Sequence, residues 1–518
     1  MRRPNVLLFL ADQLRADHLG CYGNGLAATP HIDALASRGT CMDNFHTASV
    51  LCMPNRATLL TGRMPSLHGV RRNGIPLASN ETTFVELLRG DGYQTALIGK
   101  AHFQPFGQGA GTATGTDARQ LPGETEDYRS EWIPVWRSKP AYRVPQPYYG
   151  FGHVELCLYH GDLVEGDYLH WLRARAPELV ERRGKAHAIA DARYICRDAW
   201  RTPIPAELYP SAYVAERACA WLDAHANSDT DAPFFLMCSF PDPHHPFTPP
   251  GKYWDLVNPE DVPLPASFNE TVHTPQIAFI HHFSRSGATA PNNHMPFAPS
   301  EREAREAIAL TLGSIANIDA CIGTVLDALA NSKLANDTIV AFTSDHGDLM
   351  GDHGAMLKGP MHFRGLSHVP FIWSDPRAEQ PARRVRAMGS TLDIARTVLA
   401  ATGCEAALGM QGENLLPALS GDSQLEGRSC LIENESAQLL FGRPGPFKLR
   451  SLVTPDWRLT YSNDAALCEL YDLRADPHET RNLWHDADHL PQRSRLLQAL
   501  LDTMVRHADE GMHAHSGG

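Results

Sequence analysis

Four continuous apolar runs constrain the fold more than any other feature of the sequence. Each run is short and rich in Val, Leu, Ile or Phe, which is typical of strands buried on both faces of a sheet. The runs are Asn5–Ala11, Thr95–Gly99, Pro233–Phe240 and Thr338–Thr343. Helical segments lie between them, with predicted helices over 29–39, 84–90, 211–226 and 301–330. This alternation predicts an α/β fold with a large, mixed β-sheet sandwiched by helices.

Charged or metal-binding residues follow each of these four runs. They are Asp12 with Gln13, Lys100 with His102, His244, and Asp345 with His346. Sites in open α/β sheets form outside the carboxyl ends of the strands. We therefore expect these side chains to converge on one crevice.

The 518 residues are too many for one ordinary hydrophobic core, so we expect one large and one smaller domain. We predict a catalytic domain over 1–420, with an insertion of loops and short helices at about 104–205. Strand-like pieces and a polar helix beyond residue 420 predict a C-terminal α+β domain over 421–518, built on an antiparallel sheet.

The stretch from Cys52 to Arg63 predicts a loop that feeds a helix. Pro54 suits the first helical turn, and Gly62 is a plausible stop. Cys52 then lies just before a helix N-terminus, which can hold an anion or lower a thiol pKa. Arg56, one turn on, could point a permanently charged, planar group at the same anion.

Oxygen donors dominate the predicted metal site. Asp12, Gln13 and Asp345 offer hard oxygen ligands, and His346 adds a nitrogen. Such a donor set suits Ca²⁺, with Mn²⁺ or Mg²⁺ as alternatives, and the imidazole nitrogen leans the site towards Mn²⁺. An ordinary strand-end cap or polar turn is the competing interpretation for each residue taken alone.

Charge and cysteine usage exclude several classes of protein. The formal net charge of −13 argues against non-specific binding to nucleic acid or anionic membranes. No segment reads as a membrane span. The eleven cysteines are scattered singly, which indicates neither a disulfide framework nor a zinc site. Two arginines precede the first apolar run, but that run is too short for a signal peptide, so we predict a cytoplasmic protein.

The motifs together resemble the type I sulfatases of the alkaline phosphatase superfamily. The residues that carry the resemblance are Cys52–Arg56 with Thr61-Gly62-Arg63, Arg3–Leu7 into Asp12-Gln13, Thr29–Asp33, Gly99–His102, Pro243–Pro246, Thr343–Gly347, Lys358–Pro360 and Glu469–Leu473. In that family the cysteine is oxidised after synthesis to formylglycine. The resemblance spans nearly the whole chain.

The resemblance implies a role for each matching residue. Asp12, Gln13, Asp345 and His346 would hold one divalent metal ion, and Cys52 as formylglycine hydrate would be both a metal ligand and the nucleophile. Arg56 would fix the hydrate, and His102 would bond to it. Lys100, His244 and Lys358 would hold the sulfate oxygens, and His244 could protonate the leaving alcohol. The implied partners are a small anionic sulfate ester and a formylglycine-generating enzyme; a homo-oligomer is possible.

Two departures from the commonest family pattern keep alternatives open. Gln13 stands where many members have aspartate, and His346 where many have asparagine; both variants occur in choline-sulfatase-like members and in phosphonate monoester hydrolases. Sulfate ester hydrolysis is favoured by Lys100 and His102, a pair that phosphonate monoester hydrolases usually lack. A phosphonate monoester or phosphodiester hydrolase is the alternative, and a non-catalytic anion- or metal-binding protein with an unconverted thiol is a third.

Overall fold

The computed structural model describes residues 3–107, 128–270, 274–286, 295–378, 383–422, 425–436 and 441–509. Residues 108–127, which are part of the predicted insertion, lie outside the described residues.

Nine strands form one large sheet in the order β5-β4-β3-β6-β1-β7-β8-β2-β9. The strands are β1 (Asn5–Asp12), β2 (Thr40–His46), β3 (Gln94–Gly99), β4 (His153–Leu158), β5 (Glu165–Gly166), β6 (Phe234–Pro243), β7 (Thr338–Ser344), β8 (Phe371–Ser374) and β9 (Arg383–Ser390). The pairs around β1 and β3 are parallel, whereas β8 runs antiparallel to both of its neighbours and β5 antiparallel to β4. The predicted mixed sheet is confirmed.

Helices cover both faces of this sheet. They are α1 (Pro30–Arg38), α2 (Cys52–Thr61), α3 (Pro65–His68), α4 (Phe84–Gly90), α5 (Ile133–Ser138), α6 (Asp167–Arg175), α7 (Pro177–Val180), α8 (Pro210–Ala226), α9 (Pro275–Arg285), α10 (Glu301–Ala330), α11 (Arg364–Ser367), α12 (Ile394–Thr402), α13 (Leu416–Leu419) and α14 (Leu490–Arg506).

The central strand β1 shows how one strand contributes to two cores. All eight of its residues are buried. Leu7 and Phe9 pack in the core that contains α1, α8 and α10, whereas Val6 and Leu8 pack in the core that contains α2, α4 and α12. Because successive side chains of a strand point to opposite faces, a continuous apolar run is what such a sandwiched strand requires.

The long helix α10 is a core element. It begins with a capping box in which Ser300 and Glu303 exchange hydrogen bonds with each other's backbone amides. By length and composition alone α10 could span a membrane, which the sequence interpretation did not register, but 89% of its most apolar window is buried inside the protein. That placement is the one expected of a helix packed between other core elements.

A second, antiparallel sheet lies toward the C-terminus, in the order β10-β11-β12-β13. Its strands are β10 (Cys430–Glu435), β11 (Lys448–Val453), β12 (Trp457–Ser462) and β13 (Glu469–Asp472), and Leu496 and Leu500 of α14 share a core with this sheet. The smaller α+β unit with an antiparallel sheet is confirmed. The boundary at residue 420 stays a prediction.

Several elements differ from the sequence interpretation. The predicted insertion is not only loops and short helices, because it supplies β4 and β5 to the end of the sheet. Helix α9, which contains His281, is not among the helices predicted from the sequence. Cys52 is the first residue of α2 rather than the residue before it, with Leu51 as the N-cap.

Candidate active site

The carboxyl ends of four sheet strands meet at one edge, where the predicted residues lie. Ala11 of β1 pairs with Ser344 of β7, and Asp12 pairs with Pro243 of β6. Gly99 of β3 pairs with Ser239 of β6. The residues that follow these positions therefore enter one buried crevice, as strand polarity predicts.

Four of the five predicted metal ligands form a tight, fully buried cluster. The donor atoms of Asp12, Cys52, Asp345 and His346 all lie within 4.8 Å of one another. Nε2 of His346 is 3.1 Å from the Cys52 sulfur, and Oδ1 of Asp12 is 3.9 Å from that sulfur. The sequence places these residues up to hundreds of positions apart, and the sheet brings them together.

The His346 ring is oriented by its own backbone. Its Nδ1 donates to the Gly347 carbonyl at 2.8 Å. Because a carbonyl oxygen can only accept, Nδ1 carries a proton, and Nε2 is the ring nitrogen that faces the cluster. This is the arrangement of an imidazole ready to bind a metal ion.

Gln13 and Lys358 complete the cluster. Gln13 has a positive φ of 66°, its amide nitrogen donates to Asp348, and its Oε1 accepts from Lys358 Nζ at 2.8 Å. The same ammonium lies 2.9 Å from the Cys52 sulfur and 2.9 Å from His346 Nε2. Three of the five predicted ligands thus already surround a positive charge.

The Cys52 side chain lies at the N-terminus of α2 among cationic groups. It is only 2% exposed. Burial raises the pKa of the thiol, but Lys358 and Lys100 outweigh burial, so the net pKa is below its ordinary value. An oxygen in place of this sulfur would experience the same field.

Arg56, one helical turn after Cys52, stabilises the cluster by donating hydrogen bonds to the residues around it. Its Nε donates to Asp345 Oδ2 at 2.7 Å, and its Nη1 donates to the Lys100 carbonyl at 2.8 Å and to Ser239 Oγ at 3.0 Å. Nη2 lies 3.7 Å from Asp12 Oδ2 and is a buried donor without a hydrogen bond among the described residues. A bound anion or hydroxyl would satisfy that donor.

Lys100 is fully buried between two partners. Its ammonium pairs with the Asp12 carboxylate and donates to His160 Nε2 at 2.7 Å. Burial raises the pKa of Asp12, but Lys100 and Arg56 outweigh burial and hold it well below its ordinary value. Asp12 is therefore ionised, which is the form that binds a cation.

His244 stacks face to face on His160, with ring centroids 3.5 Å apart. Its Nδ1 donates to the His245 carbonyl at 2.6 Å. Burial, with the charges of His160 and Lys358, lowers its pKa well below the ordinary value. The neutral ring presents the Nε2 lone pair, so the predicted proton transfer to a leaving alcohol requires the ring to gain a second proton.

His102 lies beside the cluster but forms no hydrogen bond to Cys52. Its ring stacks on Phe106 with centroids 4.0 Å apart, and its buried Nδ1 has no hydrogen-bond partner among the described residues. Burial, together with Lys100 and Arg56, lowers its pKa well below the ordinary value. The expected bond is one to the oxidised side chain and stays a prediction.

Two residues of the crevice were not singled out from the sequence. His160 follows β4, a strand whose polar and apolar mixture gave no continuous apolar run, so its histidine carried no strand-end signal. Asp348 lies only two residues after His346, and burial raises its pKa. The signal that could have identified Asp348 is its position just after the strand-end residues Asp345 and His346.

The chain is similar over most of its length to known proteins. It matches the sulfatase family over residues 4–404, and residues 351–506 match the C-terminal region of N-sulphoglucosamine sulphohydrolase. An arylsulfatase of Clostridium perfringens is 27% identical over 517 residues, which cover 98% of this chain and 96% of that relative.

Two further matches come from the same superfamily. A multifunctional alkaline phosphatase superfamily protein of Trinickia caryophylli is 28% identical over 541 residues, covering 98% of this chain and 96% of that protein. Among solved structures, a phosphonate monoester hydrolase of Agrobacterium radiobacter superposes with a TM-score of 0.78 at 26% identity, covering 98% of this chain and 97% of that one.

Proposed function

This chain belongs to the sulfatase family of sulfuric ester hydrolases, and we propose that it cleaves the S–O bond of sulfate monoesters with a formylglycine hydrate made from Cys52. The products are an alcohol or phenol and inorganic sulfate. One observation carries the proposal. The Cys52 sulfur lies at the N-terminus of a helix, 2.9 Å from Lys358 Nζ and 3.1 Å from His346 Nε2, within a cluster that also contains both aspartates.

The residues present fit one divalent metal ion. Asp12, Gln13, Asp345 and His346 would hold it, with position 52 as a further ligand, and the ammonium of Lys358 already lies among three of these side chains. The oxygen-rich donor set favours Ca²⁺, with Mn²⁺ or Mg²⁺ as alternatives. A divalent ion would supply positive charge where the nucleophile and the sulfuryl oxygens lie.

The cationic side chains are placed to bind and stabilise a sulfuryl group. Lys358 and Lys100 line the crevice at the Cys52 side chain and can donate to anionic oxygens. Arg56 offers the unsatisfied Nη2 donor to an oxygen on residue 52. These three cations concentrate positive charge in a protein whose net charge is −13.

His102 suits the role of a base that takes a proton from the second hydroxyl of the hydrate. Its low pKa keeps the ring neutral, and its buried Nδ1 has no hydrogen-bond partner among the described residues. Loss of that proton would expel sulfate by C–O cleavage and regenerate the aldehyde, so water need not attack sulfur.

Phosphonate monoester or phosphodiester hydrolysis is the second candidate. It is favoured by the structural similarity to the phosphonate monoester hydrolase of Agrobacterium radiobacter. Gln13 and His346 fit either substrate class. Lys100 is buried in the crevice beside Asp12. It favours the sulfate ester, because phosphonate monoester hydrolases usually lack the pair that it forms with His102.

Initial rates on three chromogenic substrates decide between the two candidates. We expect the aryl sulfate to give a higher kcat/KM than the aryl phosphonate monoester or the bis-aryl phosphodiester. A clear preference for either phosphorus substrate would move the protein to the second candidate. A Cys52→Ala variant controls for contaminating hydrolases, because it cannot form the aldehyde.

Mass spectrometry of the tryptic peptide 39–56 tests the nucleophile directly. This peptide contains Cys52 and also Cys41, which serves as an internal control in the same molecule. We expect the aldehyde at position 52 and an intact thiol at position 41 in protein from the native host. Thiol alone at both positions, with turnover of the aryl sulfate, would refute the formylglycine mechanism.

The remaining expectations about cellular context stay predictions. They are a small anionic sulfate ester as substrate, a formylglycine-generating enzyme as maturation partner, a possible homo-oligomer and a cytoplasmic location. The net negative charge supports the absence of nucleic-acid binding.

A further inference from the structure

A buried carboxylate outside the reacting cluster holds the backbone of the loop that follows β3. Glu131 is 0% exposed. Its Oε2 accepts from the His102 amide at 2.6 Å, and its Oε1 accepts from the Phe103 amide at 2.8 Å and the Gln104 amide at 2.9 Å. The Tyr148 hydroxyl donates to the same Oε1 at 2.8 Å.

The loop that Glu131 binds has an unusual backbone. His102 has a φ of 57°, which lies in the left-handed region that residues other than glycine rarely adopt. Gly99 has a φ of 113°, and a Cβ there would lie 1.8 Å from the Ser239 carbonyl oxygen. Three consecutive amides that point at one anion form a nest, and a carboxylate stabilises such a conformation.

Further hydrogen bonds hold the segment around Glu131 to this loop. The Ser130 amide donates to the Gln104 side-chain oxygen at 2.9 Å. The Ile133 amide donates to the Phe106 carbonyl at 3.4 Å. Glu131 therefore belongs to a two-way set of contacts between the segment before α5 and the segment after β3.

We propose that Glu131 is a positioning residue that fixes His102, and that it links the segment before α5 to the loop that follows β3. The proposal rests on the proposed function for its kinetic consequence. Glu131 touches no reacting atom; it acts through the amide of His102. The segment before α5 thus contributes to catalysis by holding His102 in place.

The variant Glu131→Gln tests this with small change in shape. Keeping the amide oxygen at the Oε1 position preserves three of the four hydrogen bonds, but the NH₂ group then faces the His102 amide, donor against donor. Tyr148→Phe is a milder variant that removes only the hydroxyl donor. Glu306→Gln is the matched control, because Glu306 is 1% exposed and its Oε2 likewise accepts two backbone amides, those of Ile195 and Cys196.

Hydrogen exchange measures the loop independently of activity. We expect amides in residues 100–104 to exchange about tenfold faster in Glu131→Gln than in the wild type, and unchanged in Glu306→Gln. Unchanged exchange of these amides in Glu131→Gln would overturn the proposal. This arm decides the matter even if the wild type does not hydrolyse aryl sulfates, a result that would count against the proposed function alone.

A double-mutant cycle separates positioning from general destabilisation. We expect Glu131→Gln to lower kcat on an aryl sulfate about 10²-fold, with KM changed less than about threefold. In a His102→Ala background the same change should cost less than about threefold, because the residue being positioned is gone. An equal loss in both backgrounds, or an equal loss in Glu306→Gln, would refute the proposal.

Discussion

The pH dependence of stability at His362 follows from a buried hydrogen-bond network. Nδ1 of His362 is 2.6 Å from Ser451 Oγ, and Nε2 is 2.9 Å from Asn434 Oδ1. Asn434 also accepts from the Val50 amide at 3.2 Å and donates to Ser49 Oγ at 2.9 Å. The ring therefore bonds to β10 and β11 of the C-terminal sheet, and Asn434 in turn contacts the segment that leads into Cys52.

Burial lowers the pKa of His362 to about 3, although its hydrogen bond to Asn434 Oδ1 opposes this shift. The ordinary value is 6.5. Below the ordinary pKa, this histidine binds a proton in the unfolded chain, whereas the buried ring of the folded protein stays neutral. The contribution of the ring to the free energy of unfolding is therefore fully present above the ordinary pKa. It is lost as the pH falls from that value toward the folded pKa. The loss is ~1.4 kcal/mol per pH unit within this window, and ~1.2 kcal/mol between about pH 7 and about pH 5.5.

Native-state hydrogen exchange of β10 and β11 measures this loss locally. After correction for intrinsic exchange, opening of these strands in the wild type should rise about eightfold from the higher to the lower pH because of His362 alone. His362→Gln should lack this increment at the same two pH values. His478→Gln changes an exposed histidine and should behave like the wild type. If His362→Gln loses as much protection as the wild type, the assigned role of the ring is wrong.

Three further predictions concern the crevice. Arg56→Ala leaves Asp345 without its buried partner and should lower the free energy of unfolding by ~3–5 kcal/mol, measured by denaturant titration; a loss under about 1 kcal/mol would contradict the pairing. His160→Ala removes the acceptor of the Lys100 ammonium and should lower kcat/KM on an aryl sulfate ~10–100-fold, whereas His187→Ala, outside the crevice, should not. Removal of divalent metal by a chelator should abolish turnover and lower the melting temperature, and re-addition of Ca²⁺, Mn²⁺ or Mg²⁺ in separate samples should identify the ion by recovery of both. An unchanged melting temperature and full activity after exhaustive chelation would refute the metal site.

The apolar runs determined the centre of the fold by themselves. A strand sandwiched between two helical layers must be apolar on both faces. The strands β1, β3, β6 and β7 could therefore be predicted from their own sequences, without knowledge of the strands with which they pair. Because parallel strands end at the same edge, the positions of Asp12, Lys100, His244 and Asp345 after those runs also determined that they would meet. The roles of these residues in catalysis stay predictions.

The strands that sequence reasoning missed depend on their neighbours for burial. In β2, Asp43 and Asn44 interrupt the apolar pattern, and in β9 Arg383 and Arg386 do so. These strands are placed by pairing with each other in the completed sheet. Their local sequence alone therefore carries too weak a signal to predict them.

Only the tertiary structure decided the surroundings of the reacting groups. His160 reaches Lys100 because β4 joins the sheet beside β3, and Glu131 reaches the His102 amide from a segment with no periodic pattern. Contacts of this kind require particular distances and directions between groups that are remote in the chain. Hydrophobic periodicity specifies which face of an element is buried, but it does not specify which polar atom lies within hydrogen-bond distance of another.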